Sequence, residues 1–177
     1  LLTENFIMNN KKNIILLGST GSIGQSSLRL LRKNKDKFNL IGVSAHNNVM
    51  LLSEIVNEFN VSHVVLSNPQ NARNYYGKSK LNVGESSLNE LAKISCDVVI
   101  SGITGMTGLH PAFAAISVGN NLAIANKETL VSAGKIFLER SYKNKAKIFP
   151  VDSEHSAIFQ CLDKNNISNV NFITLTA

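Results

Sequence analysis

Asp152 and Glu154, separated by one serine in Pro150-Val151-Asp152-Ser153-Glu154-His155, form an oxygen-rich cluster of the kind that hard divalent cations such as Mg²⁺ or Mn²⁺ prefer. Both carboxylates can reach one ion where a strand turns into a helix, so a strand-to-helix junction is expected here. A plainer use of the same residues stands beside it: Asp152 or Ser153 caps the helix, and Glu154 occupies the favourable first turn. His155 is expected to pack against the pair or support it rather than to bind the ion. Far upstream, Gly18-Ser19-Thr20-Gly21-Ser22-Ile23-Gly24 follows an apolar run and opens a helical pattern. In that context helix-start amides face a pyrophosphate, and Gly21 lets the backbone come close to it. The spacing is GxxGxxG, not GxGxxG. Turn and carboxylates together point to a nicotinamide dinucleotide used beside a divalent metal.

Further signals follow later apolar runs. Ser44-Ala45-His46-Asn47-Asn48 stands where an NAD-binding chain carries an acid for the ribose 2′-hydroxyl, and it holds none. A 2′-phosphate then meets no repulsion, while Ser44, His46, Asn47 and Asn48 offer hydrogen-bond donors, so NADPH is expected in preference to NADH. A solvated loop is the bland alternative. Gly102, Gly105 and Gly108 cluster at the end of another run and suit the crevice where a cofactor ring lies, although helix capping explains Gly108 equally well. Asn126-Lys127-Glu128 follows the run 122–125, which sets Lys127 to meet a substrate hydroxyl or carbonyl. A lysine and a glutamate in a helix's first turn are also ordinary surface groups.

The elements that must position these residues are legible as alternating apolar runs and helical patterns. Strands are expected near 13–17, 39–44, 62–66, 97–101, 122–125 and 147–151, and helices over 22–33, 48–59, 86–93, 108–118 and 127–143. Ile23, Leu28, Leu30 and Leu31, then Val49, Leu52, Ile55, Val56 and Phe59, set out broad apolar faces. Short continuous apolar strands separated by helices predict an α/β fold with a doubly wound, Rossmann-like parallel sheet buried on both faces. The polar stretch 67–77 reads as a loop or short irregular helix. After Val151 the pattern changes to a helix near 154–162, a polar turn over 164–169 and an apolar strand over 170–176. We therefore expect a disordered or non-native leader over 1–12, an NADPH-binding domain over 13–150, and over 151–177 the beginning of a second, α+β catalytic and metal-binding domain that is truncated.

Bulk properties narrow the partners. The 177 residues, 44% of them hydrophobic, suffice for one good core, and no apolar run reaches the roughly 20 residues a membrane span needs. A formal charge of +6 comes from scattered lysines without interleaved aromatics, which argues against nucleic acid and suits an anionic small molecule. Cys96 and Cys161 lie in no metal spacing and read as inert thiols of a reducing compartment. A cytoplasmic location is expected, or a plastid one in a eukaryote.

Taken in order, the glycine turn, Asn126-Lys127-Glu128-Thr129-Leu130-Val131, and Pro150-Val151-Asp152-Ser153-Glu154-His155 with Ala157-Ile158-Phe159-Gln160 behind it closely resemble the 1-deoxy-D-xylulose 5-phosphate reductoisomerase family. The last motif is the most specific. The resemblance runs from Asn13 to Ala177 and covers only the amino-terminal part of longer family members. It implies conversion of 1-deoxy-D-xylulose 5-phosphate to 2-C-methyl-D-erythritol 4-phosphate with NADPH and Mg²⁺ or Mn²⁺, in the non-mevalonate isoprenoid pathway that fosmidomycin blocks, by an enzyme that is homodimeric at full length. By matching position it implies cofactor contacts at Thr20, Gly21, Ser22, Ile23, His46, Asn47, Asn48, Asn126 and Glu128. It further implies substrate contacts at Lys127, Ser153 and Glu154, and metal ligation by Asp152 and Glu154. The chain departs from the pattern at His46-Asn47, where many members carry glycine and lysine. A third carboxylate ligand, the phosphate anchors and a lid lie beyond Ala177 in the family, so the chain by itself is expected to be inactive. Two other readings compete: an NADP-dependent semialdehyde or imine reductase, the former needing a cysteine nucleophile, and an NADPH-binding module without catalysis.

Overall fold

Every strand in the sheet runs the same way. The computed structural model describes residues 11–162, 168, 170–172 and 174. It begins β1 (Lys12–Leu17), α1 (Ser22–Lys33), β2 (Phe38–Ala45), α2 (Val49–Phe59), β3 (His63–Leu66), a 3₁₀ turn (Pro69–Asn74), β4 (Leu81–Val83) and α3 (Glu85–Lys93). It continues β5 (Val98–Ser101), a short 3₁₀ turn (Met106–Gly108), α4 (Leu109–Ser117), β6 (Asn121–Ile124), α5 (Lys127–Lys143), β7 (Ile148–Pro150) and α6 (Ser153–Cys161). The sheet order is β4-β3-β2-β1-β5-β6-β7, with all six pairings parallel. The chain winds outward from β1 to β4, then returns to β5 and winds the other way, so the order reverses between β1 and β5.

The unbroken apolar run of β1 follows from this architecture, because a strand covered by helices on both faces needs apolar side chains at every position. Ile15 and Leu17 enter one buried cluster with Leu88 and Leu91 of α3, Ala112, Ala115 and Ile116 of α4 and Phe137 of α5. Ile14 and Leu16 point the other way into a second cluster with Leu28 and Leu31 of α1 and Leu52, Ile55 and Val56 of α2. Leu30, expected on the inner face of α1, is 55% exposed. Gly24, Leu28 and Leu31, spaced four and three apart, define the inward stripe, and Leu30 lies about 100° away from Leu31 around the helix.

Two further differences from the sequence reading have physical causes. The edge strand β4 was not expected, because three residues with only Leu81 half-buried carry no alternation. Its parallel ladder to Val64, Val65 and Leu66 creates it. Helix α5 is broken at Ala133, whose φ of −135° and ψ of 16° are not helical. The expected leader over 1–12, apart from Lys11 and Lys12, lies outside the described residues, as do most of the expected turn over 164–169 and Ile173, Leu175 and Thr176 of the terminal strand. The described residues of that last stretch, Val170, Asn171, Phe172 and Thr174, are not in a strand, and Phe172 is 82% exposed. No helix among the described residues is long and apolar enough to cross a membrane.

Asn120 ties the crossovers together. Its Oδ1 accepts from the Cys96 amide at 3.2 Å, while its Nδ2 donates to the carbonyls of Ala92 at 3.0 Å and Ile94 at 2.8 Å. Asn120→Ala removes the partner of one buried and two partly buried backbone groups and is expected to destabilise the domain by about 2–4 kcal/mol. A urea midpoint within experimental error of the parent's would refute this.

Candidate functional site

A parallel sheet sends all its carboxyl ends to one edge, so every sequence signal that follows a strand arrives on the same side of the molecule. At the β1/β5 reversal this edge opens into a cleft of about 740 Å³ lined by Gly18, Thr20 and Gly21 after β1, by Ser44, Ala45 and His46 of the β2 end, and by Gly102 after β5.

The three glycines of the turn do three different jobs. Gly18 has φ +76°, in the left-handed region, and a Cβ there would lie 3.0 Å from the carbonyl of Gly102. Gly24 packs α1 onto the turn, where a Cβ would stand 2.4 Å from Gly18 O and 2.5 Å from the Ser19 carbonyl. Gly21 is different: its φ is −80°, and an added Cβ would meet only Gly18 O at an ordinary 3.5 Å. Nothing among the described residues requires glycine at position 21, which lines the cleft. Gly21 is also the N-cap of α1 and has no side chain to bond the helix-start amides. Ser22 is exposed at the first position of α1, while the side chain of Ile23 lies against Gly102.

Ser44 turns out to be a brace for the turn. It is buried, its Oγ accepts from the Gly18 amide at 3.0 Å, and its carbonyl accepts from both the amide (2.7 Å) and hydroxyl (3.0 Å) of Ser19. Beyond it, His46, Asn47 and Asn48 are exposed at the cleft end of β2. His46 Nδ1 lies 2.8 Å from Ser67 Oγ, and Asn47 Oδ1 accepts from Asn68 Nδ2 at 2.8 Å. Asn48 caps α2 by accepting from the Leu51 amide at 3.1 Å.

At the β6 end, Asn126 is buried and its polar atoms are engaged within the chain: Oδ1 accepts from the Thr129 amide, and Nδ2 donates to the carbonyls of Ile103 and Gly105. Its side chain therefore acts on the cleft by holding the 103–105 loop. Glu128 is exposed in the first turn of α5, and the side chain of Lys127 lies outside the described residues.

The carboxylate pair sits at the junction expected of it. Asp152 is the N-cap of α6, its Oδ1 accepting from the His155 amide at 2.9 Å, and α6 is seated on β7 by an edge-to-face contact of Phe149 with Phe159. His155 Nδ1 stands 2.7 Å from the same Oδ1. Burial alone would raise the Asp152 carboxyl, but the hydrogen bonds from the His155 amide and ring hold it below the ordinary carboxylate range. The cap thus occupies one oxygen only. Asp152 Oδ2 is buried without a hydrogen-bond partner among the described residues, in a side chain that is 10% exposed. An anionic oxygen in that state fits a cation, and Glu154, whose Oε2 accepts from Ser153 Oγ at 2.8 Å, supplies a second carboxylate nearby in sequence. Among the described residues no set of three or more His, Cys, Asp or Glu side chains converges on a metal position.

Asp152 follows the third strand beyond β1 on that side, roughly 15 Å across the edge at the usual inter-strand spacing. Neither it, Ser153 and Glu154, nor Asn126 and Glu128, line the cleft. Residues that do line it and that sequence reading passed over include Ser67, Glu85, Ser86, Asn89, Met106 and His110. Glu85 and Asn89 belong to α3 behind the unexpected β4, so the signal that would have found them was that strand. Neither cysteine lines the cleft, and burial, with the neighbouring Asp97 carboxylate, pushes the Cys96 thiol up to about 12, which removes it as a nucleophile.

Residues 14–134 match the profile of the family described as 1-deoxy-D-xylulose 5-phosphate reductoisomerase, and residues 148–177 match that of the 1-deoxy-D-xylulose 5-phosphate reductoisomerase C-terminal domain. A relative named 1-deoxy-D-xylulose 5-phosphate reductoisomerase, from Clostridium kluyveri, is 44% identical over 178 aligned positions that span 94% of this chain and 45% of the relative. Among solved structures, the Zymomonas mobilis 1-deoxy-D-xylulose 5-phosphate reductoisomerase in complex with NADPH superposes with a TM-score of 0.85 at 34% identity, over 89% of this chain and 43% of that one. A reductoisomerase in complex with NADPH, fosmidomycin and magnesium superposes with a TM-score of 0.80 at 31% identity, over 87% and 40% of the two chains. The chain therefore spans less than half the length of the relatives it matches.

Proposed function

Starting from the fact that the chain belongs to the 1-deoxy-D-xylulose 5-phosphate reductoisomerase family, we propose that it supplies the NADPH cleft and the first metal-binding carboxylates of an enzyme that isomerises and reduces 1-deoxy-D-xylulose 5-phosphate to 2-C-methyl-D-erythritol 4-phosphate. The observation that carries the reading is the buried, unpartnered Asp152 Oδ2, on the same sheet edge as a cleft faced by Gly21 and an α1 start without a side-chain cap. The complexes with NADPH and with magnesium of related proteins support it.

In this reading the backbone of Thr20, Gly21, Ser22 and Ile23 holds the pyrophosphate, which an uncapped helix start attracts. His46, Asn47 and Asn48 face the 2′-phosphate, and Asn126 and Glu128 border the cofactor from the β6 end. Lys127, Ser153 and Glu154 meet the substrate. Asp152 and Glu154 hold the divalent ion, and His155 fixes the Asp152 carboxylate so that Oδ2 is turned away from the helix cap. When bound, NADPH supplies hydride, and Mg²⁺ or Mn²⁺ supplies Lewis acidity at a carbonyl and its neighbouring hydroxyl. The protein's own work is to set cofactor, ion and sugar phosphate in register along one rigid edge. A domain boundary near residue 150, close to where the second matched stretch begins at residue 148, an assembled homodimer, and residence in the cytoplasm or a plastid belong to the same proposal.

Titration of cofactor fluorescence tests the nucleotide half. The chain should bind NADPH at least about tenfold more tightly than NADH, because charge-assisted bonds to the extra phosphate form at a β2 loop, Ser44–Asn48, that carries no acid. Equal affinities would defeat the assignment of the His46–Asn48 loop.

A further inference from the structure

Among the described residues no lysine or arginine lines the cleft, and the loop after β2 carries histidine and asparagine. Selection of a 2′-phosphate must then rest on groups whose donors are aimed by their neighbours. Ser67, at the cleft end of β3, is one such neighbour. Its Oγ is 2.8 Å from His46 Nδ1 and 3.5 Å from the Ala45 carbonyl oxygen. His46 Nε2 has no partner among the described residues and belongs to an exposed side chain on the cleft wall.

A hydroxyl can both donate and accept, and this matters for the ring it touches. With neutral His46, Ser67 Oγ–H donates to Nδ1 and the ring proton resides on Nε2. With protonated His46, Nδ1–H donates to Ser67 Oγ, whose own proton turns toward Ala45 O. In both states Nε2–H is a donor toward the cleft, and an anionic oxygen arriving there selects them over the remaining tautomer. The loop that carries His46 is itself held from the β3 side: Asn68 Nδ2 donates to Asn47 Oδ1 at 2.8 Å, and Asn71 Nδ2 to the Asn47 carbonyl at 3.2 Å.

We propose that Ser67 is a positioning residue for cofactor selection, holding the His46 ring so that Nε2–H meets the 2′-phosphate that distinguishes NADPH from NADH. The inference rests on the NADPH reading above. The test is titration of NADPH and of NADH into the chain and its variants, with a thermal melt of each. Ser67→Ala should weaken NADPH about tenfold and leave NADH within about twofold, the loss of one aimed, charge-assisted bond. Ser67→Thr, which keeps the hydroxyl, should restore most of the preference. In a His46→Ala background, Ser67→Ala should have no further effect on the NADPH-to-NADH ratio. Equal losses for both cofactors, or an unchanged preference in Ser67→Ala, would overturn the role of Ser67 and leave the NADPH reading standing. A parent chain that binds neither cofactor, or both equally, would overturn the two together.

Discussion

Asp152→Asn, placed in a polypeptide that extends this chain to the length of its relatives, is expected to lower turnover by about two to three orders of magnitude while the melting temperature shifts by only a few degrees. The separation of the two effects follows from the two oxygens of Asp152. Oδ1 caps α6 through the His155 amide, and asparagine, among the best N-cap residues, keeps that bond. Oδ2 is buried with no partner among the described residues, and the substitution turns an anionic oxygen suited to a cation into an uncharged amide donor. Glu154→Gln should act in the same direction, since it also keeps shape and removes charge. Affinity for NADPH should stay within about twofold in both variants, because the cleft and the carboxylates occupy different parts of the sheet edge and distant sites act independently. Raised Mn²⁺ should recover part of the lost turnover. Full turnover in both variants, with a lowered melting temperature alone, would mean that the carboxylates only cap the helix.

Gly21→Val and Gly24→Val should fail in opposite ways. At position 21 the backbone is in an ordinary region and an added Cβ makes ordinary contact, so the chain should fold with a loss of about 1 kcal/mol at most, the scale of an altered N-cap. Its side chain would fill the space in which a pyrophosphate must approach the helix start, and NADPH affinity should fall by more than about a hundredfold. At position 24 a Cβ would overlap the main chain of Gly18 and Ser19, atoms that cannot swing away as a flexible side chain can. Gly24→Val should therefore lose several kcal/mol of stability, on the order of the larger core-overpacking penalties, and lose binding because the turn itself is displaced. Circular dichroism melts beside NADPH titrations separate the two outcomes. A folded Gly21→Val chain with unchanged affinity would remove the pyrophosphate from this turn.

Much of this molecule was legible without coordinates, for identifiable reasons. Helix α1 is Ser22–Lys33, as its glycine start and apolar spacing predict, and β1, β2 and β5 lie within a residue of their apolar runs. Strands buried on both faces write themselves as continuous apolar segments, so the doubly wound class followed from pattern alone. The strand-to-helix junction at Asp152 was readable because a cap residue and an acidic first turn are local chemistry. β4 escaped because its three residues acquire strand geometry only from the ladder with β3.

Side-chain partners at long sequence separation were not written in any local pattern. Ser44 looked like a donor for the cofactor, and its hydroxyl oxygen and carbonyl also brace the glycine turn after β1 as acceptors. Asn126 matches a cofactor contact by position, and only the structure shows that its amide also holds the carbonyls of Ile103 and Gly105. Ser67 drew no notice in a polar stretch, and it sits against His46, 21 residues earlier. By itself, the sequence determined the class of fold, the glycine turn and the chemical types gathered at each strand end, since each depends on residues within a few positions of one another. Only the tertiary structure decided which of those groups bond to one another and which face the cleft, because parallel crossovers bring strand ends together across long stretches of intervening chain.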